Sequence, residues 1–293
     1  MQARELLDET FDTCQQGRYD LLLWPTYAGI SIGVHESQRR RFVGYIDMPY
    51  PVADASDWRN ALEECQRTYP WLVGQFRSVR LGWQTPSYTL LPEEYFIPEQ
   101  AKLLLQRVVG IGPLDVIYYN RVASPAMLLF AIPAELIHAV TQLQGQFTVL
   151  SVEGTLARLA LRCYQHTSGV FLLTEGRALS LIVVREGALQ TVLPFYARTA
   201  EDVLYRVLAT LRAVDMDPNG TLFYVFGQGV NLTEHSAASA ITNSITRQAL
   251  ASMLGRYMPP LESAPQLEGF TFCYLTERVR EERMPLFSLM LCE

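Results

Sequence analysis

The sequence predicts an α/β protein with mixed sheets, built from one structural unit used twice. Two observations carry this. Residues 21–24, 29–34 and 42–47 read as three successive strands, followed by a helical pattern and a strand at 78–83. Residues 170–174, 179–184 and 189–193 repeat that meander, again followed by a helix and a strand, 221–227. The first strands stand at residues 21 and 171 and the fourth at 78 and 222, so the spacing between copies barely drifts. Three meandering strands followed by alternating helix and strand require a mixed sheet with helices packed on it. With 293 residues, 49% hydrophobic and 18% charged, the chain can bury two such cores.

The elements follow in order. The opening "MQARELLDETFDTC" is acidic and amphipathic and reads as a helix without a signal-peptide core. After the first meander, Asp54 or Ser56 can cap a helix whose apolar face is Trp58, Ala61, Leu62 and Cys65. "EQAKLLLQRV" is a further helical pattern. Between the halves lie a strand at 115–121, a strand at 126–132, a helix opening at Pro133, a strand at 146–152 and a helix at 154–163. Proline suits a first helical turn, where its missing N–H is no loss. In the second unit "LTEGRALSLIVVREGALQTVLPF" (173–195) supplies two turns, Glu175-Gly176-Arg177 and Arg185-Glu186-Gly187, between apolar runs. Thr199 then caps a helix with Asp202 three residues on, as in a capping box, and Leu204, Val207, Leu208 and Leu211 form its apolar face. The organisation is a first half (1–112), an inserted subdomain with the return to that half (113–150), and a second half (151–293).

Several functions are excluded. The balance of 24 Lys and Arg against 30 Asp and Glu argues against nucleic acid as a partner. Lys102 is the only lysine and follows no glycine loop, which removes a P-loop. No window is long and apolar enough for a transmembrane segment. Five scattered cysteines read as reduced thiols of a cytoplasmic protein. The histidines are scattered, and hydrolase and metalloprotease motifs are missing.

A duplicated unit of this kind resembles the actin-like ATPase superfamily, with its two ribonuclease H-like halves. "MLLFAIPAELIHAVTQLQGQFTVLSVEGTLARLAL" looks like the inserted subdomain and return stretch of pilus-assembly and cell-division members. The whole chain also resembles an uncharacterised bacterial family, a domain of unknown function with this fold. The matching stretches are "YTLLPEEYF" (88–96), "FYARTAEDVLYRVLATLRAVDMDPNGTLFYVFG" (195–227), "MLGRY" (253–257) and "FSLMLCE" (287–293).

The resemblance implies where phosphate chemistry would sit. Catalytic members carry Asp-x-Gly in the first hairpin turn of each half, where glycine lets backbone N–H groups reach phosphate and the acid organises magnesium. Here the first turn is "WPTYAG" (24–29), bulky and without an acid. The second, "TEGRA" (174–178), offers only Glu175, Gly176 and Arg177. A third position, "FGQG" (226–229), offers Gly227 and Gly229 for a turn against adenosine. Each has a plainer reading: a solvated hairpin glutamate, a surface arginine, and glycines that merely end a strand. Arg39-Arg40-Arg41 likewise reads first as a solvated hairpin tip.

The expectation is therefore a non-catalytic actin-like protein that binds another protein, as an assembly or scaffold component, with no cofactor. The alternative is a divergent ATP-binding protein or phosphotransferase using ATP and magnesium in the inter-domain cleft. A sugar-kinase reading lacks a placed aspartate, since Asp202 is better used as a helix-start residue.

Overall fold

The computed structural model describes residues 3–54, 57–123, 125–175, 179–227, 229–233 and 242–292. The chain opens with β1 (Arg4–Leu7), β2 (Tyr19–Thr26), β3 (Gly29–Glu36), β4 (Arg41–Pro49), α1 (Asp57–Thr68) and β5 (Ser78–Trp83). There follow β6 (Tyr88–Pro92), α2 (Ala101–Val108), β7 (Asp115–Ala123), β8 (Ala126–Pro133), α3 (Ala134–Leu143), β9 (Thr148–Ser151) and α4 (Val152–Cys163). The second unit comprises β10 (Ser168–Leu173), β11 (Leu179–Arg185), β12 (Ala188–Phe195), α5 (Ala200–Ala213) and β13 (Thr221–Phe226). Its continuation is β14 (Gly229–Thr233), β15 (Thr242–Thr246), α6 (Arg247–Leu254), β16 (Thr271–Phe272), α7 (Tyr274–Glu277) and α8 (Met284–Phe287).

The duplication is visible in the sheets. The first sheet runs β1-β4-β3-β2-β5-β9, with β16 alongside β4; the second runs β12-β11-β10-β13. Both therefore contain the order third, second, first, fourth strand of their unit. The meander is antiparallel in each, and the fourth strand is parallel to the first: Leu21 lies opposite Val79, and Val170 opposite Phe223. A separate three-stranded sheet, β6-β8-β7, gathers the segment between β5 and α3.

Burial explains why "LSLIVV" shows no polar face. Phe171, Leu173, Ile182 and Phe226 join the large core shared with the first sheet, α1, α3 and α4. Their neighbours Val170, Leu172, Leu181 and Val183 face the other way, into a second core closed by α5 and α6. A sheet covered on both faces needs apolar residues at successive positions. The β11–β12 reversal uses Glu186 and Gly187, with φ of 49° and 79°, the left-handed pair a two-residue hairpin demands. A Cβ on Gly187 would also approach the Gln165 carbonyl oxygen to 2.5 Å.

Four expectations change. The N-terminus forms a strand, β1, because Arg4 to Leu7 pair with the outer edge of β4 and Leu7 lies over Gly44. Asp57 opens α1, and its carboxylate accepts from the Ala53 and Asp54 amides just ahead of the helix; Ser56, one of the two cap candidates, lies outside the described residues. Pro133 ends β8 and is the N-cap of α3, one place before its first turn, and α4 begins at Val152 because Ser151 accepts from the Gly154 amide. The buried face of α5 is Val203, Val207 and Leu211, with Leu204 and Leu208 at its margin, while the Thr199–Asp202 capping box is present. The apolar face expected for α1 is the one buried.

The C-terminal segment returns to the first sheet. Thr271 and Phe272 pair parallel with Arg41 and Phe42, and the Phe287 ring packs tilted against that of Phe42 with centroids 4.7 Å apart. Leu286 lies over Gly33 and Leu289 over Gly82, so these glycines make room for the segment on the sheet. Arg80 donates to the Leu289 carbonyl at 2.8 Å, and Ser288 meets Thr155 at 2.8 Å.

Candidate functional site

The carboxyl ends of the parallel strands in the two sheets face one another across a seam. Gln84, just past β5, donates through Nε2 to the Glu175 carbonyl, just past β10. The Thr85 amide and the Ser180 hydroxyl both donate to Glu153 Oε1, each at 3.3 Å, from opposite halves. This is where open α/β sheets place ligands, and Glu175 and Gly227 lie there.

The first hairpin turn is built of aromatic packing. Trp24 and Trp83 are buried, and Tyr27 sits 5.9 Å from the Trp58 ring and 6.2 Å from that of Trp83. Trp58 and Trp83 meet edge to face at 5.6 Å. Gly29 serves close packing, because a Cβ there would lie 2.2 Å from the Met48 carbonyl oxygen. The turn is pinned by the Val52 amide, which donates to the Tyr27 carbonyl at 3.0 Å.

The second turn is polar. Thr174 donates through Oγ1 to the Phe226 carbonyl at 2.7 Å, which draws the ends of β10 and β13 together. Gly227 follows with φ of 91°, and a Cβ there would stand 3.1 Å from both the amide nitrogen and Oε2 of Glu175. Glu175 and Gly227 are thus neighbours. Gly176 and Arg177 lie outside the described residues, and Gly229 opens β14 opposite Thr246.

Glu175 is committed to Arg283. One guanidinium nitrogen, Nη1, lies 3.6 Å from Glu175 Oε1; the other, Nη2, lies 3.1 Å from Asp47 Oδ2 and 3.3 Å from Glu282 Oε1. The Arg283 side chain is 5% exposed and its guanidinium carbon lies 5.9 Å from the Tyr45 ring centroid. Asp47 also accepts from Ser31 Oγ at 2.8 Å. Ser31 and Asp47 are direct partners on β3 and β4, so one sheet face presents both.

Glu153 is the second hub. It is fully buried in the first turn of α4 and accepts from Ser151 Oγ at 2.8 Å as well as from Thr85 and Ser180. Burial pushes its carboxyl up to about 7 against the pull of those hydrogen bonds. Sequence reading missed Glu153, Arg283 and Asp47. The only signal for Glu153 was "SVEG", a hydroxyl cap just ahead of an acid; none marks Arg283, which sits among six charged residues in "ERVREER".

Elsewhere the singled-out charges are structural. Arg39 pairs with Glu36 at 3.7 Å, Arg40 stacks over Phe270 at 4.8 Å, and Arg41 reaches Asp8 at 3.4 Å. At the opposite end of the first sheet, Asp20 is buried among His35, Ser37, Arg77 and Ser78. Burial would raise its carboxyl, but these four partners together hold it far below the usual range.

The described residues do not fit a magnesium-bound nucleotide. The first turn supplies no carboxylate and carries Tyr27 against two tryptophans, and the acid of the second turn is held by a buried guanidinium. Among the described residues no group of three or more His, Cys, Asp or Glu suits a metal ion, and no helix is long and apolar enough to cross a membrane.

Residues 8–244 match a family described as "Protein of unknown function (DUF3822)". No curated protein matches the chain. A crystal structure from Bacteroides thetaiotaomicron VPI-5482, a protein with actin-like ATPase fold and unknown function, superposes with a TM-score of 0.74 at 14% identity, covering 97% of this chain and 100% of that one. The PilM-PilN type IV pilus biogenesis complex contains a chain that superposes with a TM-score of 0.55 at 14% identity, covering 93% and 96%. The chain belongs to the DUF3822 family and has the actin-like ATPase fold.

Proposed function

We propose that this DUF3822 protein is a non-catalytic, cytoplasmic actin-like-fold protein that works by binding another protein. The observation that carries the reading is the pairing of Glu175 with buried Arg283, because Glu175 is the acid nearest either hairpin turn that could have organised a metal. Glu175 already faces a buried guanidinium, a cation standing where magnesium would have to approach, and Tyr27 packs in the corresponding turn of the other half. The erosion of both phosphate turns and the loss of ATPase chemistry are part of this proposal.

Partner binding is supported by the surface of the β6-β8-β7 sheet and α2. Among the described residues, seven of the twelve exposed large hydrophobics fall between residues 95 and 119, including Tyr95, Leu103, Val108, Leu114 and Tyr119. Such a concentration on a small subdomain is the mark of a contact surface. Among the described residues β7 pairs with a strand on one edge only. The PilM-PilN complex makes a protein partner a natural extension for a chain of this fold.

Thermal unfolding with millimolar ATP or ADP, with and without magnesium, tests the non-catalytic half. No shift is expected. Magnesium-dependent ATP hydrolysis that disappears in Glu175→Ala would sink it.

A further inference from the structure

We propose that Arg283 is the cation that holds the two halves together, so that closure of the seam depends on the chain itself and on no bound ligand. This rests on the non-catalytic reading and adds a mechanism to it. The two ends of the guanidinium fork serve different halves. Nη2 reaches Asp47 on β4 of the first sheet, and Nη1 reaches Glu175 at the end of β10 in the second. Arginine's planar fork can make both contacts at once, whereas a lysine ammonium is a single point charge on a flexible stem.

The charge count points the same way. Three carboxylates, Asp47, Glu175 and Glu282, lie within 3.6 Å of this guanidinium, and Glu282 also pairs with Arg4 at 3.5 Å. Arg283 is the cation placed between Asp47 of the first half and Glu175 of the second, so its removal takes away an attraction to both at once. The guanidinium is also aimed in advance. Its backbone amide donates to the Val279 carbonyl at 2.8 Å and its carbonyl accepts from the Phe287 amide at 3.2 Å. The segment beyond is anchored on the first sheet by Phe287 against Phe42 and by Arg80 on the Leu289 carbonyl. Arg283 therefore rides on the first half and reaches across to the second.

Backbone amide exchange and thermal unfolding of Arg283→Ala and Arg283→Lys test this in the full chain. Both variants are expected to lose about 6 °C or more of melting temperature, the size of effect that follows from breaking a buried ion pair. Exchange at the residues around Gln84 and Glu175 is expected to rise about tenfold or more, while the β11 core keeps its protection. Guanidinium ion at a few millimolar is expected to restore part of the protection in Arg283→Ala and to leave the wild type unchanged. If the alanine variant fails to fold, Glu175→Gln and Asp47→Asn each cut one branch of the fork and are expected to show the same local exchange. Wild-type melting and exchange in both Arg283 variants, or lysine serving as well as arginine, would overturn the clamp. Nucleotide binding by the wild type would overturn the non-catalytic reading instead, which keeps the two failures apart.

Discussion

The two units share a strand order, β4-β3-β2-β5 and β12-β11-β10-β13, yet their first hairpin turns are made of opposite materials. The turn between β2 and β3 is wrapped by Tyr27, Trp58 and Trp83, and Gly29 there serves packing against the Met48 carbonyl. The turn after β10 brings Thr174, Glu175 and Gly227 together and hands its acid to Arg283. Topology is set by the apolar pattern of the strands, which both units keep. Chemistry is set by a few residues at strand ends, where the units are free to differ. The first turn is packed as core, and the residues of the second bridge to the other half.

This contrast can be broken from either side, and the largest effect is expected at the aromatic turn. Trp58→Ala removes the ring that supports both Tyr27 and Trp83, and it is expected to cost about 4 kcal/mol in denaturant unfolding. Its amide-exchange footprint should centre on residues 24–29 and spare the second turn. A footprint spread equally over both turns would show that they are not independent.

The joint has a signature in pH. Glu153 is held up to about 7 from an ordinary value of 4.5, so between those values the unfolded chain has released a proton that the folded chain keeps. Stability should therefore fall as pH rises from about 4.5 to 7, by about 3 kcal/mol at most. In Glu153→Gln this fall should disappear, leaving the variant relatively more stable at pH 8 than at pH 4 when the two proteins are compared by urea midpoints. An unchanged pH profile in the variant would remove Glu153 from the joint.

The smallest effect belongs to the second unit alone. Thr199→Ala removes the hydroxyl that accepts from the Asp202 amide at 3.1 Å, and it is expected to lower stability by about 1 kcal/mol. The start of the corresponding helix of the first unit, α1, is held by other residues, with Asp57 accepting from the Ala53 and Asp54 amides, so the substitution should leave first-half exchange untouched.

Much of the fold was legible because it rests on local pattern. Trp58, Ala61, Leu62 and Cys65 recur at helical spacing and are the buried face of α1. Thr199 and Asp202 stand three apart and form the capping box. β1 was not legible, since four residues pairing at the edge of β4 carry too little periodicity to oppose an acidic, helix-like composition. The site was legible only in part. Glu175 and Gly227 are picked out in the sequence by their turns, and the fold brings them side by side. Arg283 and Asp47 could not be joined to them, because a contact across 236 residues leaves no trace in local pattern. Glu153 looked like any acid in a first helical turn, and only burial distinguishes it.

At the seam, the non-catalytic reading proposes that neither turn holds a magnesium-bound nucleotide, because Tyr27 packs in one and Arg283 faces the acid of the other. Titration calorimetry of ATP into the wild-type protein in the presence of magnesium tests it most directly. No saturable heat at millimolar nucleotide is the expected result. Saturable, magnesium-dependent binding that is abolished in Glu175→Ala would contradict it.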